Sequence, residues 1–367
     1  MSGPETTIPK GSWVLVTGAT GHIAAHTVKQ FLERGFKVRG TVRDLKAAAW
    51  LTEDVLKPFA DRGDLELVQV PDLGAKNAFD EAIAGVSAIV HIASILSFSD
   101  KPEEVIGPVV DSVVSILDAA AREPSVKSFV YTSSIAAAID IHPGSTGHVG
   151  PDTWNDKSVE IARGTPPGDG GFEYPYMVYQ ASKVEAEKAV WAYVKEKSTQ
   201  YTVNVISPST VLGEGFCEKH AVSPYPWVKN LYEGNEESGE LWQASKLLFQ
   251  KQSRFLKRLT VRNTVIQVDV KDVALLHVAA ALDPECNGAR LQAWGEYCNM
   301  NDMLAVLRVL YPEHKFMDDF PNQTKLEITA DFDQQLALLK KWGGQDGWTP
   351  MDESVADEMK GVLKWFH

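Results

Sequence analysis

A tyrosine four residues ahead of a lysine is the spacing in this 367-residue chain with the plainest chemistry. On one helix the two side chains share a face. The ammonium then lies near the phenol, favours phenolate and draws a pKa of about 10 toward neutrality, which suits proton exchange with a substrate. The spacing occurs four times, at Tyr179/Lys183, Tyr193/Lys197, Tyr225/Lys229 and Tyr311/Lys315. Tyr225 stands between Pro224 and Pro226 and Tyr311 precedes Pro312, so neither pair is expected on a regular helix. Tyr193 follows Tyr179 by fourteen residues and returns to nearly the same helical face. Orientation alone does not separate those two.

A second group of residues points to a ligand. The run T-G-A-T-G-H-I-A places Gly18, Gly21 and Ala24 between a short apolar segment and an amphipathic one. There a chain must turn tightly, let a pyrophosphate approach the backbone and pack helix on strand, and small residues serve all three needs. In that context the turn predicts a dinucleotide site. About 20 residues further on, an acidic side chain would bind the ribose of NAD and an arginine the 2′-phosphate of NADP. The chain reads V-R-G-T-V-R-D, with Arg43 at the strand end and Arg39 expected on the same face. The fit of guanidinium to phosphate favours NADPH/NADP+. Asp44 as a ribose ligand, with Arg43 merely solvated, is the competing reading.

The elements that must position these groups alternate. Trp13–Thr17 is an apolar run expected to be a strand buried on both faces, and a helix-period segment over 24–34 follows, closed by Gly35. Strands are expected at 37–42, 65–70, 88–92, 128–132 and 202–206, with helices at 45–60, 75–84, 105–121 and 179–195. Such alternation predicts right-handed βαβ units and an α/β fold with a doubly wound parallel sheet of about six strands. Residues 140–175, rich in Gly, Pro, Asp and Thr, read as a long surface excursion without regular structure. Beyond Pro208 the text turns aromatic, and segments 264–281 and 290–294 look like returns to the sheet. A dinucleotide-binding domain over 11–207 plus 264–295 is therefore expected, with a smaller substrate lobe from 208–263 plus 296–367.

Composition narrows the partners. Thirty-six basic against 49 acidic side chains leave a net charge of −13, which repels nucleic acid and anionic membrane surfaces. Three scattered cysteines, Cys217, Cys286 and Cys298, suggest neither a disulfide framework nor a zinc ligand set. No metal is expected. With no apolar leader and no long apolar window, the expectation is a cytoplasmic protein with no membrane anchor.

Taken together, T-G-A-T-G-H-I-A, V-R-G-T-V-R-D, H-I-A-S, F-V-Y-T-S-S and Y-Q-A-S-K resemble the extended short-chain dehydrogenase/reductase superfamily. The resemblance is strongest to fungal NADPH-dependent aldehyde and carbonyl reductases, beside dihydroflavonol and cinnamoyl-CoA reductases. It implies NADPH-dependent reduction of a small-molecule carbonyl, with Tyr179 as proton donor, Lys183 on the nicotinamide ribose and Ser134 hydrogen-bonded to the carbonyl oxygen. Ser133 is the rival for that last role. Tyr193 would lie about 21 Å further along the helix axis, away from the nicotinamide. By the same resemblance, Gly18, Thr20, Gly21, His22 and Ile23 form the phosphate turn, with Arg43 at the second strand's end. Asp72 and Leu73 flank adenine, Ile92, Ala93, Ser94 and Thr132 line the groove, and Pro208, Thr210 and Val211 cover the nicotinamide. Phe98 and Trp227 are candidates for the substrate pocket.

One stretch departs from the family. Relatives commonly read P-x-x-G-G-T-x-N where this chain reads P-V-V-D-S-V-V-S, with Asp111, Val113 and Ser115 at the later places. An asparagine-dependent proton relay is thereby put in doubt. His91 and His277 read as structural rather than as acids or bases. Two other functions compete. A nucleotide-sugar epimerase or dehydratase would retain NAD, and a redox-sensing regulator would bind dinucleotide without turnover and need no tyrosine-lysine pair.

Overall fold

The computed structural model describes residues 4–95, 97, 99–141, 144–164, 174–222, 226–234, 264–320 and 326–367. The candidate pocket residue Phe98, together with Tyr225 and Trp242, lies outside the described residues.

The chain opens with β1 (Trp13–Val16), α1 (His22–Glu33) and β2 (Lys37–Val42). β1 is apolar throughout because helices cover both faces of its sheet, and Gly35, at φ +84°, turns the chain out of α1. The next stretch, expected as one helix over 45–60, is broken into turns, a π-helical turn Leu51–Val55 and the short α2 (Lys57–Ala60). Pro58 near the start of α2 has no N–H with which to continue the preceding ladder. β3 (Leu65–Gln69) follows. The helix expected over 75–84 shrinks to α3 (Asp80–Ile83), since Asn77 sits at φ 59° and interrupts the helical path. Then come β4 (Ala88–His91), the long α4 (Pro102–Arg122) and β5 (Ser128–Thr132).

The excursion is more ordered than its composition suggests. It contains β6 (Thr146–Val149) and α5 (Asp156–Arg163) before α6 (Tyr174–Lys197) begins. Glycine and threonine hid β6 because that strand is specified by a distant partner rather than by an alternating pattern of its own. The chain continues through β7 (Thr202–Pro208), β8 (Thr210–Leu212), α7 (Trp227–Glu233), β9 (Thr264–Asp269) and α8 (Val270–Leu282). It ends with β10 (Arg290–Ala293), β11 (Glu296–Asn299), α9 (Met300–Leu310), β12 (Glu327–Ala330), α10 (Asp333–Gly343) and α11 (Met351–Phe366).

Seven parallel strands form the main sheet in the order β10-β7-β5-β4-β1-β2-β3. The order reverses between β1 and β4, and such a switch point leaves a crevice at the carboxyl ends of the strands. The fold class is thus the doubly wound α/β sheet read from the sequence, with the expected return at 290–294 supplying its seventh strand, β10. Segment 264–281 does not return to it. β9 instead joins a three-stranded sheet, parallel to β8 and antiparallel to β11, and α8 then packs on α1. β12 pairs with β6 in a separate two-stranded ribbon. Trp227, Val228, Leu231, Met303, Leu307 and Met359 share a separate apolar core.

Candidate active site

Most of the sequence candidates lie at the carboxyl ends of the main sheet's strands. At β1, Gly18 adopts φ +67°, and a Cβ there would stand 3.1 Å from that of Ala93, beyond β4. A Cβ on Gly40 in β2 would come within 2.6 Å of Ala19, so β2 also needs glycine to let the turn approach. The turn is held from beneath. The Gly18 N–H donates to the Thr41 hydroxyl at 3.1 Å, and the Thr20 carbonyl accepts from His220 at 2.9 Å. Gly21 precedes α1 without a side-chain cap, which leaves the first N–H groups of the helix for an anion. Ile23 packs against the core behind it.

Thr17 ties β1 to β4. Its oxygen accepts from the N–H groups of Ile92 and Ala93, both at 3.0 Å, so its own proton points to His91 Nδ1 at 2.9 Å. His91 is wholly buried, and burial together with the Lys183 charge pulls it down to about 3. It is a neutral structural imidazole. His277 is another, drawn down to about 4 by burial, with Nδ1 donating to the Val273 carbonyl at 2.7 Å and Nε2 accepting from Thr132 at 2.7 Å. The Thr132 hydroxyl is therefore engaged below the groove rather than turned into it.

At β2 the two arginines separate. Arg39 is bound to Glu66 and donates to the carbonyls of Ala82 at 2.9 Å and Ala84 at 2.7 Å, which makes it a brace between strands. Arg43 lies past the strand end and is exposed, with no side-chain partner among the described residues. Asp44 spends an oxygen on the Ala47 N–H at 2.9 Å, closing the local turn. Asp72 and Leu73 lie just past β3, where Asp72 accepts from the Gly74 N–H at 2.9 Å. Buried Pro208 ends β7, and Thr210 and Val211 carry the chain into the small sheet.

The reactive groups meet between β4, β5 and α6. Ser134 follows β5 in extended conformation and caps a 3₁₀ turn over Ile135–Ala137, accepting from the Ala136 N–H at 3.2 Å. Its hydroxyl adjoins the Tyr179 phenol closely enough to favour the phenolate. The adjacent Ser133 faces the other way and donates to Glu187. Lys183, one turn after Tyr179, donates to Ser94 at 3.0 Å. Burial lowers Lys183 to about 8, opposed by the Glu187 carboxylate. Tyr179 departs from the expected behaviour. Burial around its hydroxyl holds the phenol above its ordinary value, and Ser134 draws it the other way. The group rests here as an acid rather than as a phenolate prepared by Lys183.

The remaining sequence candidates are also located. His22 turns from the turn toward the Glu214 carbonyl at 2.9 Å, and burial lowers it to about 4. Trp227 is 9% exposed, packed in the apolar core it shares with Met303 and Met359. On α4, Asp111 is exposed, Val113 buried and Ser115 half-buried. Sequence reasoning missed Glu187 and Arg290. The signal available was an acidic residue four after Lys183 and eight after Tyr179, on the same helical stripe.

Among the described residues no group of three or more His, Cys, Asp or Glu is arranged to hold a metal ion, and no helix is long and apolar enough to cross a membrane.

Residues 14–285 match the profile of the NAD dependent epimerase/dehydratase family. Over 354 residues the chain is 34% identical to "Aldehyde reductase 2" of Sporidiobolus salmonicolor, covering 95% of this chain and 96% of that one. It is 33% identical to "Ketoreductase adrE" of Penicillium rubens over 95% and 96% of the respective lengths. The crystal structure of Gre2 from Candida albicans in complex with NADPH superposes with a TM-score of 0.77 at 22% identity, covering 98% of this chain and 100% of that one. By its matched profile and these full-length relatives, the chain belongs to the NAD dependent epimerase/dehydratase family.

Proposed function

We propose that the protein reduces aldehydes or ketones to alcohols with NADPH, using Ser134, Tyr179 and Lys183 as its catalytic residues. The observation that carries this reading is the meeting of three groups: Ser134 acts on the Tyr179 phenol, and Lys183 follows Tyr179 by one helical turn and donates to Ser94 beyond β4. Two positions where a Cβ would fill the space, Gly18 and Gly40, and an exposed Arg43 whose side chain has no partner among the described residues suit a dinucleotide bearing a 2′-phosphate. Gly18, Gly21 and the start of α1 would hold the pyrophosphate, Asp72 and Leu73 the adenine, and Arg43 the 2′-phosphate. Ile92, Ala93 and Ser94 would line the groove, and Pro208 to Val211 would close it over the nicotinamide.

When bound, NADPH supplies the hydride that the carbonyl carbon receives. The chain's own residues manage the oxygen. Ser134 and Tyr179 both present hydroxyls to it, and their pairing fixes where it sits. A phenol held above its ordinary pKa keeps its proton until the oxygen becomes basic, which suits a donor in the direction of reduction. Lys183 stabilises the phenolate left behind, and the proton is then restored from solvent.

The relatives named for aldehyde and keto reduction support this reading over an epimerase that retains NAD. A cytoplasmic setting, where its three free thiols stay reduced, accompanies it. The test is NADPH consumption across aromatic aldehydes, α- and β-ketoesters and nucleotide sugars. Turnover of a carbonyl class by the wild-type protein and its loss in Tyr179→Phe are expected. Stoichiometric dinucleotide retained through gel filtration, with no net NADPH consumption, would sink the reading in favour of an epimerase.

A further inference from the structure

Glu187 is fully buried, and so is nearly all of its partner Arg290, whose side chain is 5% exposed. Taking two charges out of water costs several kcal/mol each, and well-packed apolar residues often replace such a pair without loss of stability. Stability alone therefore gives little reason for a charge at this place. Its connections do. One carboxylate oxygen accepts from the Ser133 hydroxyl, and the other from Arg290 Nε and, at 3.4 Å, from Trp191 Nε1. Arg290 Nη1 donates in turn to the carbonyls of Pro151 at 3.0 Å and Thr153 at 2.6 Å, and the guanidinium lies 3.9 Å from the Trp154 ring centre. Two residues on, Asn155 donates from its backbone to Ala137 and from its side chain to Ala136, each at 3.0 Å. Those alanines belong to the turn that Ser134 caps. The chain on both sides of Ser134 is thus fastened to one ion pair.

We propose that Glu187 is a positioning residue for the catalytic set, clamping the Ser134 segment onto the helix of Tyr179 and Lys183 and setting a fixed negative charge one turn beyond Lys183. This rests on the carbonyl-reductase reading above. The surrounding groups do not duplicate that charge. Lys183 faces neutral His91 and Ser94 at the end of β4 and Tyr179 on its own helix. Glu187 faces Tyr131 and Ser133 from β5 and Arg290 from β10. The nearby charges of α4 and α5 are turned to other partners, Asp118 to Tyr193, Asp156 to Lys188 and Arg163 to Glu185. Burial and Glu187 act on Lys183 in opposite directions, so neutralising Glu187 lets the lysine lose its proton at lower pH.

The experiment compares wild type, Glu187→Gln and Ser133→Ala by two readouts. One is the pH profile of carbonyl reduction, and the other the titration of Lys183 by NMR of lysine-labelled protein, assigned with Lys183→Met. In Glu187→Gln, the Lys183 titration and the alkaline limb of kcat are expected to move down together by on the order of one pH unit. In Ser133→Ala, which keeps the charge, kcat should fall about tenfold with the limb in place and the KM for NADPH near normal. An unmoved Lys183 titration in folded Glu187→Gln overturns the proposal, as does a wild-type kcat in Ser133→Ala. If Glu187→Gln does not fold, Ser133→Ala still decides the clamp. Should wild type show no carbonyl reduction while the titration moves as expected, the reductase reading fails and the charge assignment stands.

Discussion

Tyr179 and Tyr193 share a helix and a face, but their hydroxyls have different partners. Tyr179 meets Ser134 at the crevice, whereas Tyr193 is buried and donates to Asp118 at 2.8 Å. Tyr179→Phe is therefore expected to lose on the order of 10²–10⁴-fold in turnover, the range for a missing proton donor, while Tyr193→Phe stays active. Steady-state kinetics on the two folded variants decide it. Arg43 offers a second contrast. Because its guanidinium has no side-chain partner among the described residues, Arg43→Ala should leave the fold intact and weaken NADPH by about tenfold with little effect on NADH. Equal losses with both cofactors would remove Arg43 from the 2′-phosphate.

At the scale of elements, the approach of β2 to the glycine turn depends on one missing side chain. A Cβ on Gly40 would meet Ala19 at 2.6 Å and Leu67 at 3.0 Å, so the turn and its neighbouring strand cannot both keep their places. Gly40→Ala is expected to cost about 1–3 kcal/mol in stability, as overpacking does, and to weaken dinucleotide binding by pushing Ala19 and the turn outward. Denaturant unfolding and NADPH titration by fluorescence measure the two effects. Binding at wild-type affinity in a destabilised protein would show that the turn absorbs the extra methyl without moving its N–H groups.

For the whole molecule, buried imidazoles set the response to acid. Burial lowers His22 and His277 to about 4 and His26 and His91 to about 3, against an ordinary 6.5. Between pH 6.5 and 4 the unfolded chain takes up protons that the folded one refuses, so stability falls as pH drops through that window. Asp269, raised by burial from 3.8 to about 6, works the other way, as does Glu358. The folded state keeps protons there that the unfolded chain has released, and that contribution is lost as pH rises. His220 is lowered by burial too, and five imidazoles against two carboxyls leave a net loss on acidification. The midpoint of thermal unfolding should fall by on the order of 5–10 °C between pH 7 and pH 5. His26→Gln, which can still donate to the Glu214 carbonyl, should flatten that slope.

What lies along a single element was legible in the residues themselves. The spans of β2 and β5 agree with the reading, because each is a short stretch rich in β-branched or aromatic residues set between helical segments. The glycine turn followed from backbone sterics, and a four-residue spacing put Tyr179 and Lys183 on one face wherever that helix packed. The doubly wound class followed from the alternation of these elements. Pairings across the sheet were beyond its reach. Glu187 finds Arg290 at a separation of 103 residues, Thr132 finds His277 at 145, and β6 finds β12 at 181. Periodicity fixes only neighbours a turn or a strand step apart, whereas these partners depend on strand order and on which helix covers which face. The two serines after β5 show the division. Their adjacency is local and guarantees that they face opposite ways, but only the packed neighbours decided that Ser133 meets Glu187 and Ser134 meets Tyr179.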